Sequence, residues 1–201
     1  MVGHLLNYHN HFQALLEMIK KNNFGDLIRV KSTRKSFGKL RENENVIWSF
    51  GTHDISMINR FTEGSVSNLK VIKNKYFNDN VDSALLTYKK SNVNVEIDLD
   101  WSSVCKLHRM ELYFEKNILV FEDSLPKNED KLYYYENSAF NKNILTEKNN
   151  LLKKYVQVEE SQPLKNECQH FLNCICSRET PITDIGESIE VLKVLLMTDE
   201  K

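Results

Sequence analysis

Glycine and proline are scarce in this chain, which has 6 glycines and 3 prolines among 201 residues. Neighbouring glycines are never closer than 13 positions apart, so neither the dinucleotide-binding pattern G-x-G-x-x-G nor a phosphate-binding P-loop can be written. A G-x-S-x-G nucleophile elbow is also missing. The sequence therefore contains no recognisable nucleotide-phosphate cradle and no hydrolase signature.

Excess charge, cysteine and long apolar runs are lacking as well. The 27 basic and 28 acidic residues give a net charge of −1, and so no positive field favours nucleic acid or an anionic membrane as a partner. Four cysteines are too few for a disulfide framework, and we expect reduced thiols. The longest apolar stretches fall far short of the ~20 residues of a membrane-spanning helix. With no basic signal-peptide region at the start, we expect a cytoplasmic protein with one domain over residues 1–201.

Hydrophobic periodicity predicts the secondary structure. Apolar residues at intervals of three and four predict a helix over 9–22, and near-alternation predicts a cation-bearing strand over 26–37. A second helix is expected from Thr52 or Asp54, with Asp54 as its cap, to the stop at Glu63-Gly64. Strands then follow at short spacing, over 65–76, 81–90, 93–101, 107–114, 118–121 and 132–135. The clearest is 93–100, whose alternation predicts one buried face and one that is wet or covered by charge pairs.

The last quarter of the chain is predicted to be mainly helical. Residues 127–154 show no sustained periodicity, and we expect a long loop or hairpin excursion there. One helix begins after Pro163 and carries an apolar stripe, and a second is capped by Thr183 or Asp184. This order predicts an α+β fold: one large, open, mixed and mainly antiparallel sheet with helices packed on one face.

Residues 31–54 combine several basic side chains with the predicted start of a helix. Such an arrangement can bind phosphate or carboxylate. The alternative is a solvated basic strand edge that discourages edge pairing, and the spacing leaves both open. The histidines near the start favour solvated or capping roles over a metal site, since no carboxylate or thiol lies at zinc-like spacing. Cys174 and Cys176 would point about 200° apart on a helix, which favours packing over chemistry.

Four parts of the chain carry a family resemblance. These are residues 2–62 with the block Trp48-Ser49-Phe50-Gly51-Thr52-His53-Asp54, then Trp101 with Lys106 and Arg109, then the strand over 118–123, and finally Pro163 to Phe171 with Pro181-Ile182-Thr183-Asp184. They resemble the C-terminal domain of the Gfo/Idh/MocA oxidoreductases. Within that superfamily they are most similar to the nucleotide-sugar 3-dehydrogenases, which oxidise UDP-N-acetylglucosamine or its uronate for surface-polysaccharide assembly.

The resemblance implies a substrate-binding and oligomerisation half. In the family an N-terminal Rossmann domain binds NAD or NADP and a Glu-Lys-Pro motif supplies a catalytic lysine, and this sequence shows neither. Residues 1–5 then correspond to the end of the strand that links to the missing Rossmann domain. The implied cofactor is bound mainly by a domain outside this chain, in cis or in trans.

Residue by residue, the resemblance places the family's histidine on His53, which would orient or deprotonate a ring hydroxyl at carbon 3 of a UDP-N-acetylhexosamine or uronate. Where the general family pattern has an aspartate four residues earlier, this chain has Ser49. The implied substrate contacts are Arg34, Lys39, Arg41, Trp48, Ser49, Tyr8, His4 and Asn7.

Two other interpretations stay open. The chain could be a catalytically silent domain kept for association, because family members pair through the open faces of these sheets. The strands over 93–100 and 107–114 are then the candidate contact faces of a homo-oligomer. A gene remnant is the third possibility, and it predicts poor solubility because a normally covered surface is exposed.

Overall fold

The computed structural model describes residues 1–21, 24–37, 43–77, 79–126, 129–136, 153–160 and 162–200. Within this part of the chain, four α-helices and eight strands form the architecture. Two short segments accompany them, a 3-10 helix over Leu5–Tyr8 and a π-helical turn over Ile47–Gly51. The helices are α1 (Asn10–Lys21), α2 (Thr52–Asn59), α3 (Pro163–Ser177) and α4 (Ile185–Asp199). The strands are β1 (Leu27–Lys35), β2 (Val66–Asn74), β3 (Ser83–Lys90), β4 (Val93–Asp100), β5 (Leu107–Phe114), β6 (Asn117–Glu122), β7 (Leu132–Glu136) and β8 (Lys153–Tyr155).

All eight strands join one sheet in the order β2-β3-β4-β1-β5-β6-β7-β8. Strand β1 pairs in parallel with β4, and each of the other six neighbouring pairs is antiparallel. The predicted mixed, mainly antiparallel α+β class is confirmed. The described residues form no doubly wound parallel sheet, and the Rossmann domain is therefore absent from them.

The two faces of the sheet differ as the alternation predicts. Side chains of β1 and β4 that point to one face are buried in the core that α1 and α2 share with the sheet: Val30, Ser32 and Arg34 from β1, Val95, Ile97 and Leu99 from β4. On the other face, Glu96 accepts ion pairs from Arg29 and Lys31, and Asp98 pairs with Lys35. Charge pairing therefore covers the open face of these strands.

The apolar stripes of the last two helices do not all reach the core. In α3, Leu164, Phe171, Leu172 and Ile175 are between 47% and 65% exposed. In α4 the side chains of Val191, Val194 and Leu195 are buried, while Ile185, Ile189, Leu192 and Leu196 lie at the surface. We call these eight exposed residues the α3–α4 apolar surface.

Several local details differ from the expectation. The α2 helix is entered through the π-helical turn, and Asp54 does not cap it: its side chain is buried in the first turn and bonded to β1. Asp184 does cap α4, accepting a hydrogen bond from the Glu187 amide at 2.8 Å. The three-residue β8 lies in the stretch predicted as an excursion, most of which falls outside the described residues. No described helix combines the length and apolar character that a bilayer crossing requires.

Candidate functional site

A buried ion pair joins the end of β1 to the start of α2. The Arg34 guanidinium donates from Nε to Asp54 Oδ2 at 2.6 Å and from Nη2 to Oδ1 at 3.3 Å. The Ser32 hydroxyl donates to the same Oδ1 at 2.6 Å. Arg34 is only 6% exposed and Asp54 only 1%. The carboxylate is therefore fully used inside the domain, and it balances the charge of Arg34.

His53 lies next to this pair in the first turn of α2. Its imidazole is half-buried, and Nδ1 is buried with no hydrogen-bond partner in the described part of the chain. Burial lowers the pKa of His53, and the nearby Arg34 guanidinium lowers it further, while Asp54 opposes the shift. The ring is therefore held in its neutral form, which can accept a proton from a bound group.

The local sequence explains how His53 reaches this place. The Asn45 side chain accepts from the Ile47 and Trp48 amides at 2.9 and 3.1 Å, which anchors the start of the π-helical turn. At the end of that turn, a Cβ on Gly51 would come 3.2 Å from Leu99 Cδ1. Glycine at this position therefore allows α2 to approach β4 closely and carry His53 over the end of β1.

An aromatic group closes one side of the site. The Phe50 ring contacts Trp101 edge-on at 6.0 Å between centroids and contacts His108 at 6.2 Å. His108 pairs with Arg34 in the β1–β5 register. Burial, with Arg34 and Lys106 nearby, lowers the pKa of His108 to about 4, and its Nε2 is buried without a partner among the described residues.

His108 is not among the residues that the sequence predicts for this site. The available signal was strand parity, because position 108 shares a face with the buried Met110 and Leu112 of β5. A histidine at the edge of an apolar strand face is a weak signal on its own.

His4 and Asn7 lie in a polar network that ties the start of the chain to α2 and α4. The Asn7 amide donates to Ser56 Oγ at 2.7 Å, and Ser56 donates to Glu187 Oε1 at 2.9 Å. His4 Nε2 lies 3.6 Å from Glu187 Oε2. Burial lowers the pKa of His4, although Glu187 opposes this. Both residues are buried and engaged inside the domain, and their predicted contact with substrate stays a prediction.

Tyr8, Trp48 and Ser49 also have internal partners. The Tyr8 hydroxyl lies 2.8 Å from Thr183 Oγ1. Trp48 Nε1 donates to the Asp199 carboxylate at 3.2 Å, which fastens the π-helical turn to the end of α4. The Ser49 amide donates to the Asn45 carbonyl at 3.0 Å. Their part in substrate binding likewise stays a prediction.

Of the other residues singled out in the sequence, Arg109 lines a small cavity together with Arg34, Asp54 and His108. Lys39 and Arg41 are outside the described residues. Within the described ranges, no three His, Cys, Asp or Glu side chains come together as a metal site. Cys174 is buried with Sγ 3.4 Å from His170 Nε2, whereas Cys176 is exposed, and the two thiols do not face each other.

The described residues do not fit a dinucleotide cofactor. The single parallel pair in this part of the sheet, β1–β4, is not a β-turn-α unit with a glycine-rich turn, because α2, β2 and β3 intervene between its strands. Among the described helices, none therefore presents its N-terminus to a pyrophosphate in the way a Rossmann helix does.

Comparison with known proteins places the fold. No family profile matches the chain, and no curated protein matches its sequence. Among solved structures it is similar to UDP-N-acetylglucosamine 3-dehydrogenase GnnA from Acidithiobacillus ferrooxidans, with a TM-score of 0.80 and 17% identity over 97% of this chain and 58% of that one. It is also similar to the dehydrogenase MviM from Clostridium difficile, with a TM-score of 0.70 and 17% identity over 100% of this chain and 61% of that one.

A third similar structure is KijD10, a 3-ketoreductase from Actinomadura kijaniata in complex with TDP-benzene and NADP. Its TM-score is 0.71, with 9% identity over 93% of this chain and 56% of that one. The chain thus spans about three fifths of the length of these structures. The resemblance to Gfo/Idh/MocA-type oxidoreductases is confirmed at the level of the fold.

Proposed function

We propose that this chain is the substrate-binding half of an NAD(P)-dependent sugar-nucleotide dehydrogenase. The observation that carries the proposal is His53, a half-buried imidazole held neutral, with a buried unpartnered Nδ1, beside the charge-balanced Arg34–Asp54 pair. This site occurs in a fold shared with a UDP-N-acetylglucosamine 3-dehydrogenase and with a 3-ketoreductase bound to NADP. The proposed substrate is a UDP-N-acetylhexosamine or its uronate, oxidised at carbon 3 in an enzyme of polysaccharide biosynthesis.

His53 is the proposed proton acceptor. Oxidation of a ring alcohol removes a proton from the hydroxyl oxygen and a hydride from the carbon. A neutral imidazole in a partly dry site is suited to the first task, because it can take the proton near neutral pH. The hydride acceptor belongs to a nicotinamide cofactor, and since the described residues do not fit one, that part of the reaction is assigned to a Rossmann domain in cis or in trans.

Arg34 has a positioning role in this proposal. Its guanidinium is bonded to Asp54, and so it fixes α2 and His53 against β1. Lys39 and Arg41, together with His4, Asn7, Tyr8, Trp48 and Ser49, are retained from the family resemblance as further substrate contacts.

The α3–α4 apolar surface supports a covering domain. It comprises eight large apolar side chains on two helices, each at least 43% exposed. Large exposed apolar side chains in such number are typical of an interface. We assign it to the Rossmann domain, while the charged open face of the sheet is the proposed homo-oligomer contact.

Ligand binding to the chain tests the site. In calorimetric titrations at neutral pH, we expect UDP-N-acetylglucosamine to bind and NAD+ to show no measurable binding. His53→Ala should weaken the sugar nucleotide about fivefold, the equivalent of one hydrogen bond of about 1 kcal/mol. His11→Ala, which removes a buried imidazole on α1, is the matched control and should bind as the unmodified chain does.

The second candidate function is a catalytically silent interaction domain, which the same exposed surface favours. It predicts that the chain binds a protein partner but no sugar nucleotide. Absence of UDP-N-acetylglucosamine binding by the folded chain would therefore overturn the enzymatic proposal and leave this one.

A further inference from the structure

His108 is a half-buried histidine that the proposed mechanism does not use. The alternative to a functional role is a core histidine, and the large majority of buried side-chain polar atoms have a hydrogen-bond partner. Here Nε2 is buried and has no partner among the described residues. A buried polar atom without a hydrogen-bond partner lowers the stability of the fold. The question is therefore which group pairs with Nε2 of His108.

The surroundings of His108 define what that partner can be. Together with Arg34 and Asp54, His108 lines a small cavity that has room for about one water-sized group. The charge of Arg34 is already balanced by Asp54, and the other charged residues that line this cavity, Arg109 and Asp123, pair with Glu111 and with Lys131. An anion would gain little there, and a single neutral hydroxyl, which can both donate and accept, fits the space and the chemistry.

We propose that His108 is a second substrate-contacting residue, whose Nε2 hydrogen-bonds a hydroxyl group of the bound sugar nucleotide at the Arg34–Asp54 cavity. The inference deepens the proposed function and rests on it. It also assigns the substrate class at this point, a neutral hydroxylated ring rather than a phosphate or carboxylate group. A structural water is the competing occupant.

Imidazole NMR separates these occupants. The chain is labelled with ¹⁵N-histidine and titrated with UDP-N-acetylglucosamine at neutral pH, while long-range proton–nitrogen correlations follow His53 and His108. We expect the ring signals of both to shift with the same concentration dependence. If His53 shifts and His108 does not, the cavity holds water only, and this inference is overturned while the proposed function stands. If neither shifts, both are overturned.

Variants give an independent readout. His108→Leu should weaken UDP-N-acetylglucosamine about fivefold, as expected for one lost hydrogen bond, and His108→Gln should recover part of that loss because its amide can still pair with a hydroxyl. His11→Gln is the control, since His11 also has a buried unpartnered ring nitrogen but does not line this cavity. Equal affinity of His108→Leu and the unmodified chain would overturn the inference, and urea unfolding verifies that each variant is folded.

Discussion

At the scale of single residues, the hydrogen bonds of Asp54 largely determine which chemical groups this site can bind. Its two oxygens accept from Ser32 and from Arg34, and so the charge of the Arg34 guanidinium is balanced inside the fold. Two neutral imidazoles lie beside it, His53 and His108, and each has a buried ring nitrogen without a partner among the described residues. This arrangement supports the proposed chemistry of the site, binding of hydroxyl groups and proton transfer.

Breaking the Arg34–Asp54 pair should strongly destabilise the fold. Arg34→Ala leaves a buried carboxylate without its counter-charge, and a loss of about 3–5 kcal/mol in the free energy of unfolding is expected. Lys35→Ala is the matched control, because Lys35 pairs with Asp98 on the open face, where an ion pair contributes about 0–1 kcal/mol. Urea denaturation measures both, and similar small losses would contradict a buried pair.

His108 should make stability depend on pH. Its pKa in the fold, about 4, lies below the ordinary value of 6.5, so the unfolded chain binds the proton more readily. Titration of His108 therefore leaves the free energy of unfolding unchanged above pH 6.5 and lowers it as the pH falls from 6.5 towards 4. Urea unfolding of His108→Gln across this range should show a shallower fall than the unmodified chain. Identical pH slopes would mean that His108 titrates normally in the fold.

At the scale of elements, a few hydrogen bonds between side chains and element ends hold the helices together, and one apolar surface stays exposed. Asp184 caps α4, Trp48 ties the π-helical turn to Asp199, and Asn7 links the 3-10 helix to α2 through Ser56. These anchors fix the ends of the elements around the site. The outward stripe of α3 has no such role within the described domain, and so it is available to a partner.

Because the apolar stripe of α3 is exposed, we expect substitutions in it to weaken docking while leaving the stability of the fold nearly unchanged. Replacing Leu172 and Ile175 by serine should change the free energy of unfolding by no more than about 0.5 kcal/mol each, because both are already more than half exposed. The same double variant should lose binding to the nucleotide-binding domain of the Acidithiobacillus 3-dehydrogenase, measured by calorimetry.

Val194→Ser on the buried side of α4 is the control for that experiment. It should lose stability by a few kcal/mol, as core truncations do. If the α3 double variant still bound the nucleotide-binding domain, the α3–α4 apolar surface would not be the docking site of the covering domain.

Sequence patterning predicts much of this fold because its strands alternate clearly. The alternation over residues 93–100 indicates which side chains are buried and which face is charged, and the alternation in β1 indicates the same. Periodicity does not show what covers an apolar stripe, which explains why the exposure of α3 emerges only in three dimensions. The parallel β1–β4 pair is also long-range, since 57 residues separate Lys35 from Val93.

The site was predictable only in part. His53 is found through the family resemblance, and Arg34 through the density of cations on β1. The internal pairing of Arg34 depends on Asp54 turning inwards from the first turn of α2, which no local signal at a helix start indicates. His108 becomes visible only when β5 is placed beside β1.

At the scale of the whole molecule, the described part of the chain forms one sheet with a core-facing side, a charged open side and a helical apolar surface. It spans 58% of the GnnA chain that shares its fold. A proton acceptor is proposed in this domain, while its described residues do not fit a dinucleotide. Function is therefore expected only when a nucleotide-binding domain and this domain act together.

The most direct test combines the chain with the nucleotide-binding domain of the Acidithiobacillus enzyme and measures NADH formation that depends on UDP-N-acetylglucosamine. We predict turnover by the combination, none by either part alone, and a rate at least ~100-fold lower with His53→Ala, as expected for loss of a general base. A docked combination that binds the sugar nucleotide without turnover, or a His53→Ala variant with the full rate, would contradict the account.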